Sequence, residues 1–370
     1  MQSTLFSWFQ PIVRYCMPQS TLWLLVLLIL CRSGVAISQD PHFSQFYASP
    51  LTLSPAIAGT YTGTFRISTL YRDQWRAAVD NPLRTFAISG DVKFDVNYGA
   101  KNLPDAVGLG ITFFGDRVNT FDYNTNQILL TAAYHKVLDK KTKQYLGLGI
   151  QGGVFQKTIS YEDLTFQDQF NAVDGYTLQT NEFLPPNNKA FSDLSMGVHY
   201  SITPSKQFNF HAGIGYFHIN KPNLSFFNTP DIIGGEIRKI DILHPKWSIY
   251  TGASLRTSDR MSVQPRINAL IQGPYSEVNL GATFRYKLSR TEGKYLLLGP
   301  YLRGVKGLGG TGMEALIAMA GLEMNNFIMG ISYDQNLGSL LNTRRSLSSF
   351  EISIIYIGEH HNEDNFCPQW

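Results

Sequence analysis

Beyond residue 60 the chain alternates apolar and polar residues in stretches of roughly ten, a two-residue period that marks half-buried strands rather than helices. The clearest stretch runs from Val278 to Leu288. Val278, Leu280, Ala282, Phe284, Tyr286 and Leu288 fall on one face; Asn279, Gly281, Thr283, Arg285 and Lys287 fall on the other. Phe208, Phe210, Ala212, Ile214 and Tyr216 oppose Asn209, His211, Gly213 and Gly215 in the same way. Phe350, Ile352, Ile354 and Tyr356 oppose Glu351 and Ser353, and Phe65, Ile67, Thr69 and Tyr71 oppose Arg66, Ser68 and Arg72. One wholly apolar face against a charged one suits a barrel with lipid outside and a polar lumen inside. Downstream of residue 38 no apolar run reaches the roughly 20 residues that a membrane-spanning helix requires.

The alternation predicts fourteen strands, at 64–76, 85–96, 106–115, 127–138, 144–156, 192–202, 207–217, 246–257, 260–270, 276–288, 294–303, 311–323, 326–337 and 347–358. The number is even, as single-chain outer-membrane barrels require. The two long connections, 157–191 and 218–245, fall at the same end, while every connection at the other end is short. Membrane barrels show this asymmetry, with long external loops and short periplasmic turns. The fold expected is all-β, a single transmembrane antiparallel barrel spanning 64–358 with periplasmic N- and C-termini. Glycine breaks the alternation in 105–115 and 144–156, which points to bending or a close backbone approach. Tyr71, Trp75, Phe113, Phe114, Tyr295 and Tyr301 lie near strand ends and are expected in interfacial aromatic girdles.

The N-terminal region reads as an export signal. Leu22 to Leu30 is an apolar run too short for a comfortable span, and Ala36 and Ser38 fit a small-x-small cleavage pattern. Residues 1–38 are therefore expected to be a cleaved signal peptide, with Met17 a plausible true start. Cys16 and Cys31 would leave with it, and Cys367 alone would remain, which excludes an internal disulfide framework. A formal net charge of +3, spread along the chain, gives no footprint for nucleic acid.

No catalytic motif stands out, so the chain reads as non-enzymatic and free of cofactors. His360 and His361, near Glu359, Glu363 and Asp364, read as a solvated tail, 359–370. Of His199, His211 and His218, only His211 is expected to face the lumen. Gly304, Gly307, Gly309, Gly310 and Gly312 lack the ending of a phosphate-binding loop and read as an external loop. Arg66, Arg72, Arg76, Arg285 and Lys287 are expected to point inward, where Asp91 and Glu351 are candidate partners. Residues 39–63 are a separate segment. Pro41, Pro50 and Pro55 oppose a long helix or a central strand, yet Phe43, Phe46, Tyr47, Leu51, Leu53 and Ile57 are too apolar for a tether. The segment must pack, either in the barrel mouth or on a periplasmic partner.

Three stretches carry a resemblance: Gln39 to Tyr47 continuing through Ser49-Pro50-Leu51 and Pro55 to Gly59; Tyr71-Arg72-Asp73-Gln74-Trp75; and the ending Phe366-Cys367-Pro368-Gln369-Trp370. A weaker fourth is Phe191 to Val198. On these the chain resembles the PorP/SprF family of Bacteroidetes membrane proteins, tied to type IX secretion and gliding motility. Gln369-Trp370 departs from the basic residue and Phe expected at the tail. The resemblance implies an outer-membrane component of type IX secretion that assists export or cell-surface anchoring of cargo such as gliding adhesins. It implies partners among secretion components, a periplasmic ring or peptidoglycan-associated lipoprotein, and cargo with a C-terminal sorting domain, in contact with outer-membrane lipid. The other reading open to such a fold is a diffusion pore or solute transporter. Partner or packing contacts are expected from Phe43, Phe46, Tyr47, Arg72 and Trp75, from the loop aromatics Phe166, Phe170, Tyr176, Phe183, Phe226 and Phe227, and from Cys367 and Trp370. Phe155 and Tyr161 add to the aromatic character of that loop region.

Overall fold

The computed structural model describes residues 40–359, apart from 77–81, 97–104, 119–121, 163, 228–231, 234–235, 238–241, 290–292, 308–309 and 338–347. Residues 1–38, expected to be a signal peptide, and the tail residues Cys367 and Trp370 lie outside the described residues. Fourteen antiparallel strands close into one barrel. They are Phe65–Gln74, Leu83–Val96, Asp105–Val118, Tyr123–Asp139, Gln144–Thr158, Asn188–Ser205, Phe208–Phe217, Lys246–Arg256, Met261–Gln272, Tyr275–Lys287, Lys294–Gly307, Gly310–Met324, Phe327–Asn336 and Ser349–Gly358. Each pairs with its sequence neighbours, and the last pairs with the first, from Phe65 with Gly358 to Gln74 with Ser349. No edge is left open, as a bilayer demands of every backbone polar group. No described helix is long and apolar enough to cross a membrane.

The pleat sorts the side chains as the alternation predicts. Ile67, Leu130, Ile150, Leu280, Phe284 and Ile352 are exposed on the outer face, where lipid covers them. Ser68, Thr112, Ser248, Asn268, Asn279, Thr283 and Glu351 are buried on the inner face. Short turns join the strands at one end. Asn325 and Asn326 form a two-residue turn in which Asn325 takes φ 51, a left-handed conformation that Asn tolerates better than most residues. At the other end lie the connections 159–187 and 218–245, the second carrying a small ribbon of Ile232–Ile233 with Glu236–Ile237. The long-loop end is external and the short-turn end periplasmic. Phe65 and Gly358 both lie at the periplasmic end.

The wall differs from the sequence reading in its details, and several strands extend past their expected ends, as at Tyr123 and Asn188. The glycine-rich stretch near 304–312 is not all loop: strands run to Gly307 and resume at Gly310, with a register shift at Arg303/Gly304 that absorbs the irregular pattern. Phe114 and Tyr301 are not girdle residues. Both point inward and are buried, because the lumen contains apolar structure for them to cover.

Candidate functional site

That structure is the segment ahead of the first strand. From Tyr61 the chain turns back into the barrel and crosses the lumen to Asp40, beside the external ends of the strands. It is built from three single 3-10 turns, Phe46–Ala48, Pro50–Thr52 and Pro55–Ile57. The prolines that forbid a long helix are the ones that start these turns. Pro50 and Pro55 occupy first-turn positions, where a missing N–H costs nothing and a fixed φ is already helical. The Ser54 hydroxyl caps the third turn by accepting from the Ala56 amide at 3.3 Å. Gly59 ends the plug at φ +79, a conformation other residues resist, and its amide donates to Asp91 Oδ2 at 2.8 Å.

Apolar residues on the plug meet apolar patches set into an otherwise polar wall. Phe43 and Ala48 pack with Leu70, Ala87, Phe114 and Ile355, and Phe46, Leu53 and Ile57 pack with Tyr250, Tyr301 and Ile317. Burial of each large side chain contributes about 1.5–3 kcal/mol. The glycines that interrupt the alternation in strands three and five explain themselves here. A Cβ at Gly108 would overlap the Ala58 carbonyl, and one at Gly149 would overlap the Ala56 backbone. The wall is bare so that the plug can touch it. Gly149→Val is accordingly expected to displace the third turn, and protease cleavage between residues 50 and 60 should rise sharply while heat-modifiable migration of the barrel persists.

The centre of the lumen is a network of buried charges. Glu351 accepts the Ser44 amide at 2.7 Å and the Gln45 amide at 2.8 Å, and Arg72 faces the same carboxylate at 3.5 Å. Arg303 lies 3.0 Å from Asp334, 3.5 Å from Glu277 and 3.8 Å from Glu314, and it also donates to the Ser44 hydroxyl. Arg72 donates to the His42 carbonyl. Of the charges expected to point inward, Arg66 pairs with Asp91 at 2.8 Å, Arg72 with Glu351 and Arg285 with Glu323, whereas Arg76 lies past the end of the first strand, exposed, and pairs with Asp73. Arg303 and Glu277, the heart of the network, were missed. The alternation places both at or next to strand ends, Arg303 closing 294–303 and Glu277 opening 276–288, where inward and outward faces are least defined.

At the external mouth Asp40 is gripped by His218 Nε2 at 2.7 Å and Lys246 Nζ at 2.6 Å, and His218 Nδ1 contacts Asp193 at 2.9 Å. Burial alone would lower the His218 pKa, but Asp40 and Asp193 outweigh it and raise it to about 9. Burial would raise the Asp40 carboxyl; His218 and Lys246 override it and hold it well below its ordinary 3.8. His218 therefore contributes stability that is complete below its ordinary 6.5 and is lost as pH rises through about 9. Asp40 contributes above 3.8, and that part is lost only as pH falls beneath it. The latch is expected to be firm from about pH 4 to 6.5 and to loosen toward pH 9 to 10. Hydrogen exchange at amides 42–46, corrected for intrinsic rate, should accelerate over that upper range. His218→Gln should exchange fast throughout; if its pH profile matches the parent's, the latch is not what holds this end.

His199 also faces the lumen, contrary to the sequence reading that reserved this for His211. It donates to or accepts from Tyr250 at 2.8 Å and lies with its ring 6.1 Å from that of His211. His135, not singled out from sequence, contacts the Ala58 carbonyl at 2.7 Å. Trp75, just past the first strand with φ 65, donates its amide to the Ser348 carbonyl. Phe155 is not a loop residue; it is buried on the fifth strand and stacks on Phe191. The loop aromatics partly pack on one another. Phe170 meets Tyr176, Phe183 stacks on Phe227 with centroids 6.2 Å apart, and Phe226 meets Tyr123, while the Phe166 backbone amide donates to Gln169 Oε1 at 2.7 Å ahead of a short turn. Phe183 remains 82% exposed and Phe170 54%, so the contacts do not hide them.

Two cavities flank the plug. The external one is lined by Asp40, His42, Lys246, Glu277, Lys306 and Glu314 and measures about 250 Å³; the periplasmic one measures about 570 Å³. Among the described residues no cluster of His, Cys, Asp and Glu is arranged to hold a metal. Among curated proteins none matches the sequence. Of solved structures, a Pseudomonas aeruginosa FadL homologue is similar at 11% identity and TM-score 0.47, covering 84% of this chain and 94% of its own. The Ralstonia pickettii toluene transporter TbuX is similar at 12% identity and TM-score 0.44, covering 85% and 94%. A family model described as the type IX secretion system membrane protein PorP/SprF matches residues 35–356. The chain is an outer-membrane β-barrel with its lumen plugged by its own N-terminal segment, and it belongs to the PorP/SprF family.

Proposed function

We propose that the barrel serves type IX secretion as a closed docking platform, assisting export or cell-surface anchoring of cargo by binding proteins rather than by conducting them. The observation that carries this reading is the lumen itself. Leu51, Ala48, Ala56, Ala58, Arg303 and Glu351 are fully buried across its centre, so nothing passes without moving the plug. What is left for contact is the two ends. The exposed aromatics Phe170, Tyr176, Phe183 and Phe227 on the external loops have the character of a protein-binding surface. A cargo bearing a C-terminal sorting domain is the expected partner there, with secretion components or a peptidoglycan-associated lipoprotein at the periplasmic end, where the tail carrying Cys367 and Trp370 begins.

Replacing residues 164–186 by a short Gly-Ser linker is expected to leave the barrel folded and in the outer membrane while surface display of the cognate cargo falls to background. Undiminished display would remove the loop proposal. A second reading, a solute channel gated by plug movement, is favoured by the cavities on either side of the plug. Solute uptake that depends on the intact chain, with cargo display unaffected by its deletion, would select that reading.

A further inference from the structure

Arg66, Arg72, Arg285 and Arg303 point into the lumen, and each has a carboxylate partner. Arg266 differs. Its guanidinium donates to Thr283 at 2.9 Å, Tyr301 at 3.2 Å and Gln264 at 2.7 Å, and lies 4.4 Å over the Tyr47 ring. All of these partners are neutral, and no carboxylate pairs with it among the described residues. A cation held partly out of water without a counter-ion is costly, and an arriving anion gains correspondingly. Arg266 lines the 570 Å³ cavity beneath the plug. That size fits a small organic ligand or a few peptide residues.

The rest of the lining agrees in sign. Lys93 donates only to the Tyr61 carbonyl, at 3.4 Å, and Lys143 sits exposed in the 140–143 turn at the periplasmic mouth. Arg66 is neutralised by Asp91, and among the described residues the one acidic side chain in the lining is Asp95, exposed at the rim. Three cations thus face one anion. The Tyr47 hydroxyl, on the cavity wall, has no hydrogen-bond partner among the described residues. Arg geometry favours a planar, two-oxygen acceptor.

We propose that this periplasm-facing cavity binds carboxylate groups, with Arg266 as the anchoring cation and Lys93 and Lys143 drawing the ligand in. The proposal goes beyond the docking function and does not rest on it, because the charge of the cavity lining carries it whichever partners meet the periplasmic end. The carboxylate can belong to a free di- or tricarboxylate or to acidic side chains of a periplasmic protein.

The test is calorimetric titration of the full chain in detergent at low salt, with citrate and with tetraglutamate as probes. At least one should bind saturably, and binding should weaken about tenfold or more in Arg266→Gln. The double variant Lys93→Met/Lys143→Met, which gives up only the long 3.4 Å bond to the Tyr61 carbonyl and touches none of the three turns, should lose several-fold, and Lys306→Gln at the external mouth should lose nothing. Tighter binding of citrate assigns the site to free small acids, and tighter binding of tetraglutamate to a protein segment. No saturable binding of either probe below about 10 mM overturns the proposal. So does affinity unchanged in both the Arg266→Gln and the double-lysine variants.

Discussion

A chain lacking residues 40–58 is expected to conduct ions in a planar bilayer, where the intact chain is silent. Those residues supply all three turns of the plug, and the wall facing them is polar: Ser68, Ser89, Thr131, Ser195, Asn268 and Thr283 line it. Removing the plug leaves those groups to water rather than to an apolar void, so the barrel keeps its hydrogen bonds between strands while the bore opens. The change is from no passage to a steady pore, and no mutation in the wall should match it. Single-channel recording on the two forms checks it. Steady conductance from the intact chain, or none from the shortened one, would mean that the plug is not the barrier.

Arg303→Met should be the most destabilising point change in the barrel. Arg303 is 1% exposed and stands among Asp334, Glu277 and Glu314. Methionine fills the space, leaves Glu277 and Glu314 facing one another without an arginine, and leaves Asp334 only Arg72, at 3.9 Å. Breaking such a buried arrangement from one side costs about 3–5 kcal/mol. The loss should appear as a lower urea midpoint for refolded barrel in vesicles. Adding Asp334→Asn should restore part of it, because one of the stranded charges is then gone. Equal stability of Arg303→Met and parent would show that water already solvates this cluster.

The wall of the barrel was legible in sequence because one physical rule acts at every position: lipid on one side, polar lumen on the other, with a period of two. The strand count, the short periplasmic turns and the long external loops followed from it, while several strands run three or four residues further than the alternation shows, as at Val118, Tyr123, Asn188 and Gly307. The contents of the lumen obey no such local rule. Proline and aromatics showed that residues 39–63 must pack, but the segment's partners are remote. Ser44 meets Glu351 and Asp40 meets His218, and no spacing announces contacts across that much chain. The glycines of strands three and five gave a correct hint of close approach without naming what approached. Phe114 and Tyr301 misled for the same reason: an inward aromatic looks like a girdle residue until something is known to lie inside. Arg266 escaped notice because Pro265 beside it blurs the alternation.

The pairing of Arg72 with Glu351 bears on how such a molecule is assembled. They sit opposite one another on the first and last strands, at the seam where the cylinder is sealed. The same carboxylate also receives the Ser44 and Gln45 amides. The segment ahead of the first strand therefore waits for the barrel's final strand, and zipping of the seam and seating of its occupant become one terminal event. An assembly machine releasing this protein would deliver it into the bilayer already corked.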